Sequence, residues 1–230
     1  MNNFDLEFNQ KVTDRHWPLF GLAVKSKVVE LKTSTDSDIG ILIDLMNAGI
    51  HSPEKRPFST PWNLLELPER NYEFAKRVWA HRAALKQNDW YLDFTIIYEG
   101  QIVGMQSVFA KEFPVSRAFM SSSWLGRPYQ RKGIGSVARE AMLFLMFQGL
   151  DALEGHSEAY EDNFASIRVC EKLGYRPNGF RSWGRDNKPA RSLQFIITKD
   201  DFSKRSHDGF EIVGLNEAKE FLGLGHLGKN

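Results

Sequence analysis

Six consecutive residues, Gln130-Arg131-Lys132-Gly133-Ile134-Gly135, have the types and spacing to bind an anion. The two glycines let bare backbone N–H groups face outward where an apolar helix begins, and a helix N-terminus is a ready anion site. Arg127, Arg131, Lys132 and Arg139 surround the loop, and no acidic residue lies between 127 and 139. The pattern predicts a phosphate-bearing ligand.

The elements that must hold this loop run from Ser121 to Tyr175: strand, loop, helix 134–148, strand 152–159 and a short helix opened by Asn163. A crossover of this kind makes the two flanking strands parallel. Ile167, Cys170 and Leu173 face the core of the last helix. Gly174 ends it, with Tyr175 folding back on Cys170 as in a Schellman cap.

Upstream, 28–33 reads as a strand, and Thr35 or Asp36 caps a helix with Ile39, Leu42, Ile43, Leu45 and Met46 as its apolar stripe. Residues 50–67 carry Pro53, Pro57, Pro61, Phe58 and Trp62, a long irregular loop read as one wall of a binding site. A helix follows over 68–87. Three apolar runs, 92–98, 102–110 and 118–125, form an antiparallel meander with a hairpin at Glu99-Gly100-Gln101. Strands near 176–185 and 191–198 close the sheet around a turn at 186–189. The expected organisation is an extension over 1–27 that packs on the domain or on a second subunit, one domain over 28–200, and a tail over 201–230 with a helix over 216–222. The aromatic lead Trp17-Pro18-Leu19-Phe20 and the tail are the basis for expecting a homo-oligomer.

Bulk properties narrow the function. With 230 residues, 42% hydrophobic and 26% charged, the composition is that of a soluble globular protein. A net charge of +1 argues against a nucleic-acid binder, which needs a marked basic excess. Cys170, the single cysteine, forms no internal disulfide and fits a reducing cytoplasm. Neither a signal peptide nor a bilayer-spanning stretch is expected. Cys170 reads as buried packing rather than a nucleophile. The six histidines show no ligand spacing, so no metal is expected.

Gly133-Ile134-Gly135-Ser136-Val137-Ala138 also fits the dinucleotide fingerprint, with Glu154 about 20 residues on. Against it, residues 127–133 separate strand from helix, three antiparallel strands precede the loop, and no second nucleotide-binding half follows. No G-K-[ST] follows the glycines, which argues against a nucleoside triphosphatase.

The Q-x-x-G-x-G loop, with Asn163-Phe164-Ala165-Ser166 and Glu171-Lys172-Leu173-Gly174-Tyr175, resembles the GNAT superfamily of N-acetyltransferases. Within it, the pattern is similar to the branch of the ribosomal-protein N-acetyltransferases. The Trp17–Phe20 lead, Phe58-Ser59-Thr60-Pro61-Trp62 and Ser123-Trp124-Leu125-Gly126 further resemble an actinobacterial subgroup with a mycobacterial member that uses succinyl-CoA. The resemblance implies an α/β GNAT fold: a mixed, mostly antiparallel sheet of about seven strands flanked by helices, its central parallel strands splayed. It implies acetyl-CoA or succinyl-CoA as acyl donor, without metal, and an amine acceptor: a protein N-terminus, a lysine or a small molecule.

Position by position, the resemblance implies that the backbone of Trp124 and Leu125 pairs with the pantetheine arm. Gln130, Arg131, Lys132, Gly133, Ile134, Gly135 and Ser136 wrap the pyrophosphate, and Asn163 bonds the pantetheine amides. Ser166 lies near the thioester sulfur. Asn163 is equally a plain helix N-cap and Ser166 a solvated first-turn serine.

Transfer by direct attack through a tetrahedral intermediate needs a neutral amine, donors for the oxyanion and a proton for the leaving thiolate. The donor is expected on a backbone N–H of strand 118–126, where Ser123 is the candidate, and the acid is Ser166. For the base, strand alternation puts Glu154, His156 and Glu158 on one face, with Glu158 the candidate and His51 an alternative relay. His51, Phe58 and Trp62 are the expected acceptor-binding residues. A non-catalytic acyl-CoA-binding or sensor module would carry the same loop.

Overall fold

Turns of positive φ set the meander. Glu99 (φ 50°) and Gly100 (φ 74°) form the two-residue connection between the strands Trp90–Tyr98 and Gln101–Ala110, a conformation whose twist matches that of paired strands. Asp186 (φ 50°) and Asn187 (φ 59°) do the same between Arg176–Arg185 and Lys188–Thr198. The second of these strands therefore starts earlier than expected, with Pro189 inside it.

The computed structural model describes residues 16–52, 54–58 and 62–225. Its strands are Ala23–Lys25 (β1), Val29–Thr33 (β2), Trp90–Tyr98 (β3), Gln101–Ala110 (β4), Ala118–Leu125 (β5), Glu154–Tyr160 (β6), Arg176–Arg185 (β7), Lys188–Thr198 (β8) and Glu211–Val213 (β9). The helices are Asp36–Asn47 (α1), Glu69–Ala83 (α2), Phe113–Ser116 (α3), Ile134–Phe144 (α4), Phe164–Leu173 (α5), Lys199–Ser203 (α6) and Leu215–Phe221 (α7). The strands make one sheet in the order β7-β8-β6-β5-β4-β3-β2-β1-β9. Among the described residues only β5 and β6 are parallel. Among the described residues no helix is long and apolar enough to cross a membrane.

Among the described residues there are nine strands, where about seven were expected. The additions, β1 and β9, have three residues each, too few for alternation to show. They come from the lead and the tail, which pair with each other at Val24↔Ile212. Trp17 meets Phe221 edge-on at 5.0 Å, and Leu19, Leu22, Leu222 and Leu224 are buried. These apolar segments cover each other, so their burial needs no second subunit. Residues 1–15 of the lead lie outside the described part.

α4 and α5 bury against one face of the sheet with Phe94, Ile96, Val108 and Phe119. α1 and α2 cover part of the other through Met105 and Trp124. α4 is apolar nearly all round because both sides are packed, and it ends in a π-helical turn over Leu145–Gly149.

The turn leading from α4 into β6 is held by Asp151, whose carboxylate bonds Arg117 and Lys199. Its carbonyl oxygen accepts from Arg117 Nε at 2.8 Å, fixing the start of β5 beside that of β6. The Lys199 hydrogen bond is the largest influence on the Asp151 carboxyl; burial opposes it, and the Arg117 charge adds to it, so that the group is held below its ordinary value. A depressed carboxylate stabilises the fold above its unfolded pKa, and that contribution is lost as pH falls through the folded value. Asp151→Asn keeps the positive φ of 63° tolerable and removes only the charge. We expect it to cost about 0.5–1 kcal/mol at neutral pH, a figure already reduced for solvent screening. In urea titrations the gap to wild type should close as pH drops below the carboxylate range; a gap independent of pH would contradict this assignment.

Candidate active site

β5 and β6 pair at Ala118↔Glu154, Phe119↔Gly155 and Met120↔His156, and then part. Gly155 closes the crotch: a Cβ there would lie 2.6 Å from Phe119 Cζ. Beyond it, among the described residues, β5 pairs only with β4, and β6 only with β8, leaving a fork. The direction of the β5 backbone follows from its bonds. Gly126 N–H donates to Val103 O (2.9 Å) and Ser122 O accepts from Gln106 Nε2 (2.9 Å), so even-numbered residues turn their backbone groups toward β4. By alternation, Ser121, Ser123 and Leu125 present theirs to the open fork. This corrects the expectation for Trp124. Its carbonyl lies toward Gly104 of β4, and its ring packs with Phe74 on the α1/α2 face, centroids 6.1 Å apart.

At the mouth of the fork lies the glycine loop. Arg131 (φ 60°) and Gly133 (φ 81°) are left-handed, and Gly133 is the N-cap of α4. No atom lies within 4 Å of a Cβ built on Gly133, and only Leu125 Cδ1 (3.5 Å) approaches one on Gly135. The first-turn N–H groups therefore border open space. Ser136 N–H is already spent on Gly133 O at 3.0 Å. Gln130 also departs from expectation: its Nε2 donates to Ile50 O (2.7 Å) and Leu125 O (2.8 Å). It buckles the loop to the end of β5 rather than offering its amide N–H groups to a ligand. Arg131 and Lys132 are exposed beside the loop.

Arg139 does not join them. It is 4% exposed and turns into the fork. Nη2 donates to Ser123 Oγ (3.0 Å) on β5, and Nη1 to Ser157 Oγ (3.1 Å) on β6 and to Cys170 Sγ (3.4 Å) on α5. The Ser123 hydroxyl thus belongs to the α4 side, and what Ser123 offers the fork is its backbone. Tyr175, buried beneath, has its phenol pushed up to about 12, chiefly by burial and against the Arg139 charge. Ser121 lies close enough to lower that value without meeting hydrogen-bond geometry.

Asn163 caps α5, its Oδ1 accepting from Ser166 N–H at 3.3 Å. The Schellman closure forms as expected, with Tyr175 N–H on Cys170 O (3.0 Å) and Gly174 N–H on Glu171 O (3.1 Å). Ser166 is half-buried and one turn before Cys170, which puts it on the side of α5 that carries Cys170 toward Arg139.

On the α1/α2 face, Glu154 is paired with His156 (3.5 Å), whereas the half-buried Glu158 has no side-chain partner among the described residues. His51 is not free to relay a proton. Its Nδ1–H donates to Ser52 O (2.7 Å) and Nε2 accepts from Asn63 Nδ2. The aromatic residues of the expected wall pack together: Phe58 lies 5.9 Å from His51 and 5.2 Å from Trp62, which leads through Phe74 to Trp124. Pro53 and residues 59–61 of that wall lie outside the described residues.

Sequence reasoning missed a second polar cluster on this face. Asp93 accepts from His81 Nδ1 (2.7 Å) and Ser107 Oγ (2.6 Å). A carboxylate at a buried position within an apolar strand was the available signal.

The family profile of the acetyltransferase (GNAT) domain matches residues 30–176, the span that contains loop and fork. The chain belongs to this family. Among solved structures, the GNAT fold here is similar to RimL, a ribosomal L7/L12 α-N-protein acetyltransferase in complex with coenzyme A. Identity is 18% over 76% of this chain and 97% of that one, with a TM-score of 0.63. Mycobacterium smegmatis RimJ in complex with CoA-disulfide is 20% identical over 78% of this chain and 86% of its own, at 0.65. A Vibrio cholerae spermidine N-acetyltransferase chimera, SpeG, is 14% identical over 78% and 100%, at 0.60. At these identities the likeness is one of fold.

Proposed function

We propose that this GNAT protein transfers an acyl group from a coenzyme A thioester to a primary amine by direct attack. The observation that carries the reading is the continuity of loop and fork. An anion-binding helix N-terminus opens onto a strand edge whose backbone groups lack a strand partner, the requirements of a pyrophosphate joined to an amide-containing arm. Arg131, Lys132, Gly133, Ile134 and Gly135 hold the pyrophosphate, with Ser136 a marginal contributor. Leu125 and Ser123 pair with the arm in place of Trp124, and Asn163 adds its amide while capping α5. The Ser123 N–H is the oxyanion donor.

Glu158 is the base or amine anchor, being the unpaired carboxylate on the face where Phe58 and Trp62 shape entry. An acidic, partly aromatic face suits a cationic amine. RimL and SpeG are named for a protein N-terminus and for spermidine, so fold likeness leaves both acceptor types open.

Acetyl-CoA is the default donor. Succinyl-CoA is a second reading with one observation in its favour. A carboxylated acyl chain needs a cation at the acyl end, and Arg139 is a buried cation beside Ser123 and Ser157.

Ser166 is tested directly. As the acid that protonates the leaving thiolate, its replacement by Ala should lower kcat about tenfold to a hundredfold with little change in KM. The assay is release of free CoA from acyl-CoA over an amine panel. An unchanged kcat removes Ser166 from the chemistry. If no amine promotes release while acyl-CoA binds tightly, the protein is a binding module.

A further inference from the structure

Arg139 is the charged group in this fold whose surroundings least explain it. Its guanidinium is buried, and none of its bonded partners, Ser123, Ser157 and Cys170, is a carboxylate. Among the described residues, its Nε, the Ser121 hydroxyl and the Tyr175 hydroxyl are buried polar atoms without a hydrogen-bond partner. Buried donors are almost always satisfied, and a buried charge normally has a counter-charge, because desolvating an ion costs several kcal/mol. Here three partnerless atoms and an uncompensated cation gather on one side of the fork. The other charged groups of β6, Glu154 and Glu158, project from its opposite face, as alternation requires.

What such a site lacks is negative charge. Acyl transfer supplies it: nitrogen bonds to the carbonyl carbon, the carbon–sulfur bond breaks, and sulfur leaves with the electron pair. The proton of the new ammonium passes to Glu158, the base of the reading above, and from it to solvent. We propose that Arg139 is a positioning residue that stabilises the departing CoA thiolate through its charge and, through its bond to Ser123 Oγ, fixes the backbone N–H that meets the oxyanion. This rests on the acyltransferase reading above and deepens it. Arg139 would share with Ser166, or take over from it, the task of making the thiol a leaving group.

The test uses full-length protein with CoA bound. The thiol is titrated by the ultraviolet absorbance of its thiolate, as a difference against the complex with desulfo-CoA. In wild type the bound thiol should ionise at least about tenfold more readily than in free CoA, as expected for an opposite charge within a few ångströms. Arg139→Met should abolish that shift while desulfo-CoA affinity stays within about twofold, since that ligand has no sulfur to ionise. Arg139→Lys keeps the charge and should keep most of the shift. In turnover, Arg139→Met should lower kcat about a hundredfold with KM little changed. If Arg139→Met fails to fold, the wild-type and Arg139→Lys titrations still decide. A bound thiol that titrates as in water in wild type, or equally in wild type and Arg139→Met, overturns the proposal while leaving CoA binding intact. Absence of CoA binding in wild type overturns the acyltransferase reading itself.

Discussion

Replacing Gly135 with valine should reduce CoA affinity about a hundredfold or more while the fold holds. The two effects separate because of where Gly135 sits. It is the second residue of α4, its φ is outside the left-handed region, and a Cβ would meet only Leu125 Cδ1 at an ordinary 3.5 Å. Valine branches would project into the space bordered by the first-turn N–H groups, displacing an anion from them. Each charge-assisted hydrogen bond lost costs about 1.5–3 kcal/mol, and two suffice for the stated change. Gly135→Ala is the companion. It should leave the melting temperature level or raise it slightly, since alanine is the better helix former, while still weakening CoA. Gly133 is a poorer probe. Its φ of 81° means any L residue there is strained by about 1–2 kcal/mol before ligand is considered. Calorimetric titration of both Gly135 variants, with thermal melts alongside, measures the two effects. Unchanged CoA affinity in Gly135→Val would remove the loop from the site.

Gly104→Ala should damage the fork from behind. Gly104 lies on β4 opposite Leu125, and a Cβ there would sit 2.2 Å from the Trp124 carbonyl oxygen and 2.9 Å from Leu125 Cα. Both obstructing atoms are backbone, so no rotamer change relieves the clash and β5 must move. Overpacking of this kind costs about 1–3 kcal/mol. Because β5 has no strand partner on its fork side past Met120, the displacement is taken up where the ligand's arm would pair. We expect a lower melting temperature together with CoA affinity reduced beyond what the stability loss explains, since the folded fraction still dominates at room temperature. Gly40→Ala is the control, in an exposed stretch of α1 with nothing within 4 Å. It should stabilise slightly and leave CoA binding alone. Equal CoA affinity in Gly104→Ala and Gly40→Ala would show that β5 does not hold the ligand.

The loop and the α5 cap were legible because each is written in consecutive residues: glycines before an apolar helix, and Gly174-Tyr175 after Leu173. The parallel crossover followed from that local order. What escaped was settled by side chains that meet from distant strands. Nothing around residue 139 says that an arginine among basic neighbours turns inward. Serines at core-facing positions 121, 123 and 157 were the signal, and it is intelligible only once the two strands are known to splay beside α4. Gln130 read as a ligand residue because its family motif names it, yet both bonds of its Nε2 go to backbone carbonyls, one of them Ile50, 80 positions away. His51 lost its candidacy the same way, to Asn63. The short strands β1 and β9 are too brief for any periodicity, and only their pairing makes them strands. The lead and tail were recognised as needing cover, but not as covering each other.

Loop and fork together should bind a coenzyme A thioester. Isothermal titration of the wild-type protein with CoA, acetyl-CoA and succinyl-CoA tests this most directly. All three should bind with micromolar or tighter affinity, with succinyl-CoA at least as tight as acetyl-CoA where Arg139 meets the acyl carboxylate. No heat of binding for any of the three, from protein whose melt shows it folded, would contradict it.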